Sequence, residues 1–262
     1  MMDFVLPPLV ALAVWWFGTG VVMLLDRLPR ETFRFTLFST TLIVGAGLVC
    51  IARAAHNDTP AGAYGAFVCA VMVWGWHELT FLSGWLTGPR KRECSAPGHW
   101  PTRLRESVHA ILWHEMGLIG ALALIWALTR EGSNPVALWT FALLWVMRLS
   151  AKLNLFLGVR NFGEEFLPSH LSHLPSYFKR RGFNPLLPAV VGAGGALAVQ
   201  LVMRAAELPP GLRTGHLLVA TLLGLAVIEH LLLVLPLRSS ALWRWAMQRQ
   251  VQQAAVADLG AR

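Results

Sequence analysis

Hydrophobic residues occur along this chain in long continuous runs, neither alternating with polar residues nor confined to one helical stripe. Seven runs, at about 4–25, 34–55, 63–87, 107–129, 134–158, 185–206 and 214–238, each hold roughly twenty residues, the length at which an α-helix crosses a hydrocarbon core of about 30 Å. Helix-breaking pairs fall between them: Leu28-Pro29, Gly88-Pro89, Asn134-Pro135, Asn184-Pro185 and Pro209-Pro210. A membrane β-barrel would instead need segments of about ten residues with apolar and polar positions alternating. The pattern predicts an all-α fold, a polytopic membrane helix bundle with about seven transmembrane helices. Residues 1–240 would form a single transmembrane domain and 241–262 a tail. In that tail Trp243 and Trp245 suit an interfacial anchor, followed by a short amphipathic helix to about Val256.

The basic residues between the runs alternate by loop. The first loop carries Arg27, Arg30 and Arg34; the third Arg90, Lys91, Arg92, Arg103 and Arg105; the fifth Arg160, Lys179, Arg180 and Arg181; the tail Arg238, Arg244, Arg249 and Arg262. The second, fourth and sixth connections hold only Arg53, Arg130, and Arg204 with Arg213. By the positive-inside rule the N-terminus is periplasmic, the C-terminus is cytoplasmic and the number of spans is odd. The localisation expected is a bacterial inner or intracytoplasmic membrane.

This orientation assigns each intramembrane polar residue a depth. His77-Glu78, His114-Glu115, Arg148 with Lys152 and Asn154, and Glu229-His230 all fall in the cytoplasmic half of their spans. Ionisable side chains cost about 2.5–3.5 kcal/mol each at mid-helix on insertion scales, so they face one another, a cavity or a ligand. One shared polar layer is therefore expected. The fifth loop would fold back over it with Glu164, Glu165, His170 and His173.

Three readings of that layer stay open. His and carboxylates on facing helices are how di-iron centres are built. On that reading His77, Glu78, His114, Glu115, Glu164, Glu165, His170, His173, Glu229 and His230 are candidate ligands for non-haem iron, two ions in all. Neighbouring residues point about 100° apart on a helix, so each His-Glu pair would give one member to the metal. The pattern matches neither the Glu-x-x-His of ferritin-like proteins nor the dense histidine boxes of membrane desaturases. Alternatively the carboxylates neutralise Arg148, Lys152 and the histidines in a structural network. The third reading gives one or two histidines to the magnesium of a chlorin pigment.

Composition narrows the picture further. The 262 residues are 55% hydrophobic and 14% charged with 12 Trp and a mean hydropathy of +0.54, against roughly a quarter charged in a soluble domain. The net charge of +8 belongs to loops flanking spans, so Arg90-Lys91-Arg92 reads as a topology signal and an anionic-lipid contact, with no nucleic acid as partner. Cys50, Cys69 and Cys94 form no disulfide framework. Ser-His-Asp catalysis finds no aspartate within a span, and the glycines at 192, 194 and 195 read as close helix packing.

Three stretches, WGWHELTFLSGWLTGPR from Trp74, LWVMRLSAKLNLFLGVRNFGEEFLPSHLSHLPSYF from Leu144 and AVIEHLLLVLPL from Ala226, resemble the photosynthetic complex assembly protein 2 family of purple photosynthetic bacteria, as does WWFGTG from Trp15. The resemblance covers nearly the whole chain. It implies an inner-membrane protein, encoded beside the gene for the reaction-centre H subunit, that supports assembly of the reaction centre and light-harvesting antenna and modulates bacteriochlorophyll supply. The partners implied are reaction-centre or light-harvesting subunits and pigment, besides membrane lipids. It brings no catalytic mechanism and no ligand set. Under this reading Arg148, Lys152 and Asn154 would bind the cofactor, a bacteriochlorophyll intermediate, with Arg148 and Lys152 holding an anionic group such as a propionate. The competing reading is a non-haem iron oxygenase or desaturase acting on a pigment or lipid.

Overall fold

A computed structural model describes residues 2–235, 237 and 239–246. Seven long helices are each apolar enough to cross a membrane: α1 Met2–Asp26, α2 Phe33–Ala54, α3 Pro60–Leu82, α4 Trp100–Thr129, α5 Val136–Leu157, α6 Leu186–Ala205 and α7 Pro210–Leu232. The chain is a multi-pass membrane protein. The continuation to Val256, together with Arg238, Arg249 and Arg262, lies outside the described residues.

Two expected boundaries move inward, each for a local reason. The run at 63–87 stops as a helix at Leu82 because Gly84 takes φ +80, a left-handed conformation that glycine adopts without strain. The N–H groups of Trp85 and Leu86 then both donate to the Thr80 carbonyl at 3.0 and 2.9 Å. The run at 214–238 stops at Leu232, where the fifth loop supplies donors to the last turn. Arg160 and Asn161 N–H donate to the Leu233 carbonyl, and Asn161 Nδ2 donates to the carbonyls of Leu232 and Leu235.

The boundary that moves furthest outward is the start of α4. α4 begins at Trp100, not near 107, since His99 caps it and Pro101 occupies its first turn. Two charged residues of that extra length, Arg103 and Glu106, are buried against partners. Glu106 accepts from Ser95 N–H and O–H and pairs with Arg90 at 3.0 Å, and the Arg103 guanidinium lies 4.1 Å over the Phe156 ring.

Helices α1, α3, α5 and α7 run parallel and form the centre of the bundle. Contacts advance together along each pair: Gly18 with Val71 and then Gly75 with Val22, Val136 with Gly215 and then Ser150 with His230, Asp3 with Arg213 and then Trp15 with Glu229. α3 touches the other three, and α2, α4 and α6 pack around them. The main core, including Phe67, Val73, Leu118, Ile125, Phe141 and Leu218, fills the spaces between.

The loops after α1, α3 and α5 meet at one end, called the basic end below. Residues 158–185 fold across it through three short 3-10 turns at 164–166, 169–171 and 174–177. They are pinned by Tyr177, whose hydroxyl accepts from Arg90 Nε at 2.9 Å and donates to the Arg92 carbonyl at 2.6 Å. A second apolar core of Phe81, Ala110, Leu171, Leu174 and Tyr177 lies beneath. Trp243 and Trp245 turn back onto α1: Trp243 Nε1 donates to the Trp16 carbonyl at 3.0 Å, and Trp245 lies against Gly20, where any side chain would collide with its ring.

Candidate functional site

The central parallel helices and α4 bring the intramembrane polar residues to a common level. Glu78 on α3 accepts from Arg148 on α5 at 3.0 Å, and its second oxygen stands 3.9 Å from His114 Nε2 on α4. Glu115 on α4 accepts from Lys152 on α5 at 2.5 Å and from Trp145 Nε1 at 3.2 Å. Glu229 on α7 accepts from Trp15 Nε1 on α1 at 3.0 Å. Each of these three carboxylates thus has a donor on another element.

His230 and Ser150 join α7 to α5. Nδ1 of His230 lies 2.8 Å from the Ala226 carbonyl, and Nε2 lies 3.0 Å from Ser150 Oγ. A carbonyl only accepts, so Nδ1 carries the proton in neutral His230 and Nε2 accepts from the serine hydroxyl. His77 Nδ1 likewise bonds the Val73 carbonyl one turn back at 2.9 Å. Asn154 is fully buried; its amide N–H donates to the Ser150 carbonyl at 3.0 Å and its side-chain oxygen has no hydrogen-bond partner among the described residues.

His114 is the least satisfied group. It is 0% exposed, its ring packs 4.6 Å from that of Phe81, and neither ring nitrogen has a hydrogen-bond partner among the described residues. The facing Glu78 oxygen is also without one among the described residues. Buried polar atoms are ordinarily paired, so this corner of the layer has capacity to bind a further donor or acceptor. The backbone here is unusual too: the His114 N–H, midway along α4, bonds the Thr87 carbonyl at 2.9 Å. The segment after α3 lies so close to α4 that a Cβ on Gly88 would collide with the backbone of His109 and Ala110. Irregular backbone at membrane depth is tolerated where protein covers it.

The fifth-loop candidates fold over the basic end but stand apart from the layer. Glu164 is exposed and pairs with Arg180 at 2.9 Å. Glu165 is exposed, and its carbonyl accepts from Arg27. His170 Nε2 bonds the Leu82 carbonyl at 2.7 Å, and His173 is buried among the loops. Among the described residues no three His, Cys, Asp or Glu side chains come together as a metal-ligand group. Glu78 and Glu115 are instead neutralised by Arg148 and Lys152.

Trp15, Trp145 and Ser150 are layer residues that sequence reasoning missed. Trp145 precedes Arg148 by three and Lys152 by seven, so it shares their helical face, a signal available in the sequence. Trp15 reaches Glu229 across 214 positions, and nothing local indicates that.

The chain matches the sequence profile of the family described as protein of unknown function DUF3623 over residues 1–254. It is also 40% identical over 252 residues to an uncharacterized 30.4 kDa protein in the puhA 5' region of Rhodobacter capsulatus, covering 92% of this chain and 91% of that relative. No solved structure matches. The chain therefore belongs to the DUF3623 family.

Proposed function

We propose that this member of the DUF3623 family is an integral membrane factor for assembly of the photosynthetic reaction centre and its light-harvesting antenna, using its intramembrane charged layer to engage a subunit span or a bacteriochlorophyll intermediate. The relative's position in the puhA 5' region and the family resemblance to photosynthetic assembly proteins support the setting. The basic end then faces the cytoplasm.

The observation that carries the role is that the layer is open at the flank of the bundle. The Arg148 side chain is 45% exposed, and Glu229 is exposed beside it on α7. Charges at this depth are costly toward lipid, so a partner covers them in the working state. The Arg148 fork suits a carboxylate such as a pigment propionate, with Lys152 behind it as a point charge. The iron oxygenase alternative would require ligands to leave the cations that now hold them.

The test is complementation of a Rhodobacter capsulatus strain lacking its 40%-identical relative. Wild-type chain restores reaction-centre and antenna absorption, and Arg148→Met, present in the membrane at normal abundance, does not. A deletion strain with unchanged photosynthetic complexes would refute the assembly role. Full complementation by Arg148→Met would refute the role of the layer.

A further inference from the structure

A second cationic site lies outside the membrane-buried layer. At the basic end, a cavity of about 450 Å³ opens between the start of α2, the segment after α3 and the fifth loop. Its walls carry Arg30, Arg34, Lys91, His170 and His173, and no carboxylate is among the described residues that line it. Arg30 and Arg34 have no ion-pair or hydrogen-bond partner for their side chains among the described residues. They contrast with Arg90, Arg148, Lys152 and Arg180, each of which faces a glutamate. The acidic residues nearby, Asp26 and Glu165, line a separate adjoining cavity of about 280 Å³ that shares Arg30 and His170.

We infer that the larger cavity binds a phosphate-bearing anion, of the glycerophosphate head-group class. The volume falls in the range of small-molecule sites, roughly 300–1,000 Å³, and exceeds what inorganic phosphate alone requires. Two forked guanidiniums and an ammonium on different walls suit the several oxygens of a phosphate. The surroundings favour a membrane source. Trp85, 65% exposed, stands at the rim, and Arg34 begins an exposed stripe that continues through Phe38 and Leu42 one and two turns along α2. Acyl chains would lie along that stripe with the head group at Arg34. Burial and the charges of Arg30 and Lys91 hold the His170 imidazole below its ordinary range, so the permanent charge of the site comes from the arginines and the lysine. Gly84 brings the backbone close to His170, the nearest ring atom standing 3.1 Å from where a Cβ would sit. The base of the cavity is therefore held by packing.

The experiment uses the full chain in nanodiscs of equal phosphatidylglycerol and phosphatidylcholine, read by native mass spectrometry for retained lipid and by thermal shift. Wild type retains one phosphatidylglycerol per chain. Arg30→Gln/Arg34→Gln binds it about thirtyfold more weakly, at the usual gain per basic residue near an anionic surface. Lys91→Gln, on another wall, weakens it in the same direction. Arg105→Gln, an exposed charge on α4 outside the cavity, leaves retention unchanged. Soluble glycerol phosphate that displaces the lipid supports the head-group assignment. Stabilisation by glycerol phosphate in pure phosphatidylcholine, without retained phosphatidylglycerol, supports the same chemistry from a soluble source. Absence of both responses overturns the site, as does equal retention by the double variant, or an equal loss in Arg105→Gln, which would mark a diffuse surface field.

Discussion

Replacing Lys152 by Met isolates the value of one charge in the layer. The side chains of Lys152 and Glu115 are 19% and 16% exposed and meet at 2.5 Å, so the pair is too enclosed for solvent to take over when one partner is lost. Breaking such a pair costs about 3–5 kcal/mol, most of it from the charge left behind. Trp145 Nε1 still donates to Glu115, which points to the lower figure. At roughly 2–4 °C per kcal/mol for a domain of this size, Lys152→Met lowers the melting temperature by about 6–12 °C. Adding Glu115→Gln removes the stranded charge and keeps an acceptor for Trp145, so the double variant recovers at least half of that loss. A thiol-reactive dye in mild detergent reads the transition, because Cys50, Cys69 and Cys94 are all free and Cys69 is buried. A single-variant shift below about 2 °C, or a double variant no more stable than the single, would refute the premise that the layer is held by enclosed pairs.

Other outcomes follow from particular contacts. Gly88→Ala forces a Cβ into the backbone of α4 at His109 and destabilises by about 1–3 kcal/mol, seen as a lower melting temperature with the same fold by circular dichroism. Tyr177→Phe leaves the Arg92 carbonyl without its donor and removes the acceptor for Arg90; a loss of about 1–2 kcal/mol and faster proteolysis in residues 158–185 are expected. Burial and the charge of Lys91 push both His170 and His173 below the ordinary imidazole range, with Arg30 adding to the effect on His170. Their folded pKa values lie below the unfolded one, so the stability they contribute is present above about pH 6.5 and is lost as pH falls through it. A His170→Asn/His173→Asn variant flattens the decline in melting temperature between pH 7.5 and 5.5; an unchanged slope would show that neither histidine charges on unfolding. Elemental analysis of native protein returns no stoichiometric iron, and about two irons per chain lost in His114→Ala would transfer support to the oxygenase reading.

The helices were legible because a span is a matter of length and hydropathy, which are local properties. Their ends were less so, because they depend on distant partners. Asn161 reaches the last turn of α7 from 71 positions away, and the buried Arg103 and Glu106 look like loop residues until Phe156 and Arg90 are placed beside them. The common level of Glu78, Glu115, Arg148, Lys152 and Glu229 could be read from topology, since orientation converts position in a span into depth. Which carboxylate takes which cation could not, for it depends on azimuth about each helix. Glu164, Glu165, His170 and His173 illustrate the limit of depth reasoning. Their loop does cross the basic end, yet the loop's own contacts with Arg180, Leu82 and Phe81 occupy them or hold them away from the layer.

The parallel arrangement of α1, α3, α5 and α7 gives the charge pattern a second physical meaning. Four parallel helices end at the basic end, each with the equivalent of about half a negative charge at its C-terminus. The N-termini of α2, α4 and α6 begin at the same end and cancel most of that charge, so the arginines of the first, third and fifth loops, which read as a topology signal, offset only the remainder. Glu78 and Glu229 run against this logic. Each sits in the last turns of its helix, four residues before the end of α3 and three before the end of α7, where a negative charge is disfavoured. Arg148 compensates Glu78 from a neighbouring helix, and among the described residues only the Trp15 indole N–H bonds Glu229. Carboxylates placed against the dipole gradient, beside a half-exposed arginine, are poorly suited to holding a bundle together and well suited to receiving a partially positive group from outside. A partner that brings a donor to Glu229 and an anionic group to Arg148 would relieve both ends of this arrangement at once, which makes this flank of the bundle, between α5 and α7, the face to test by crosslinking for contact with an assembling subunit.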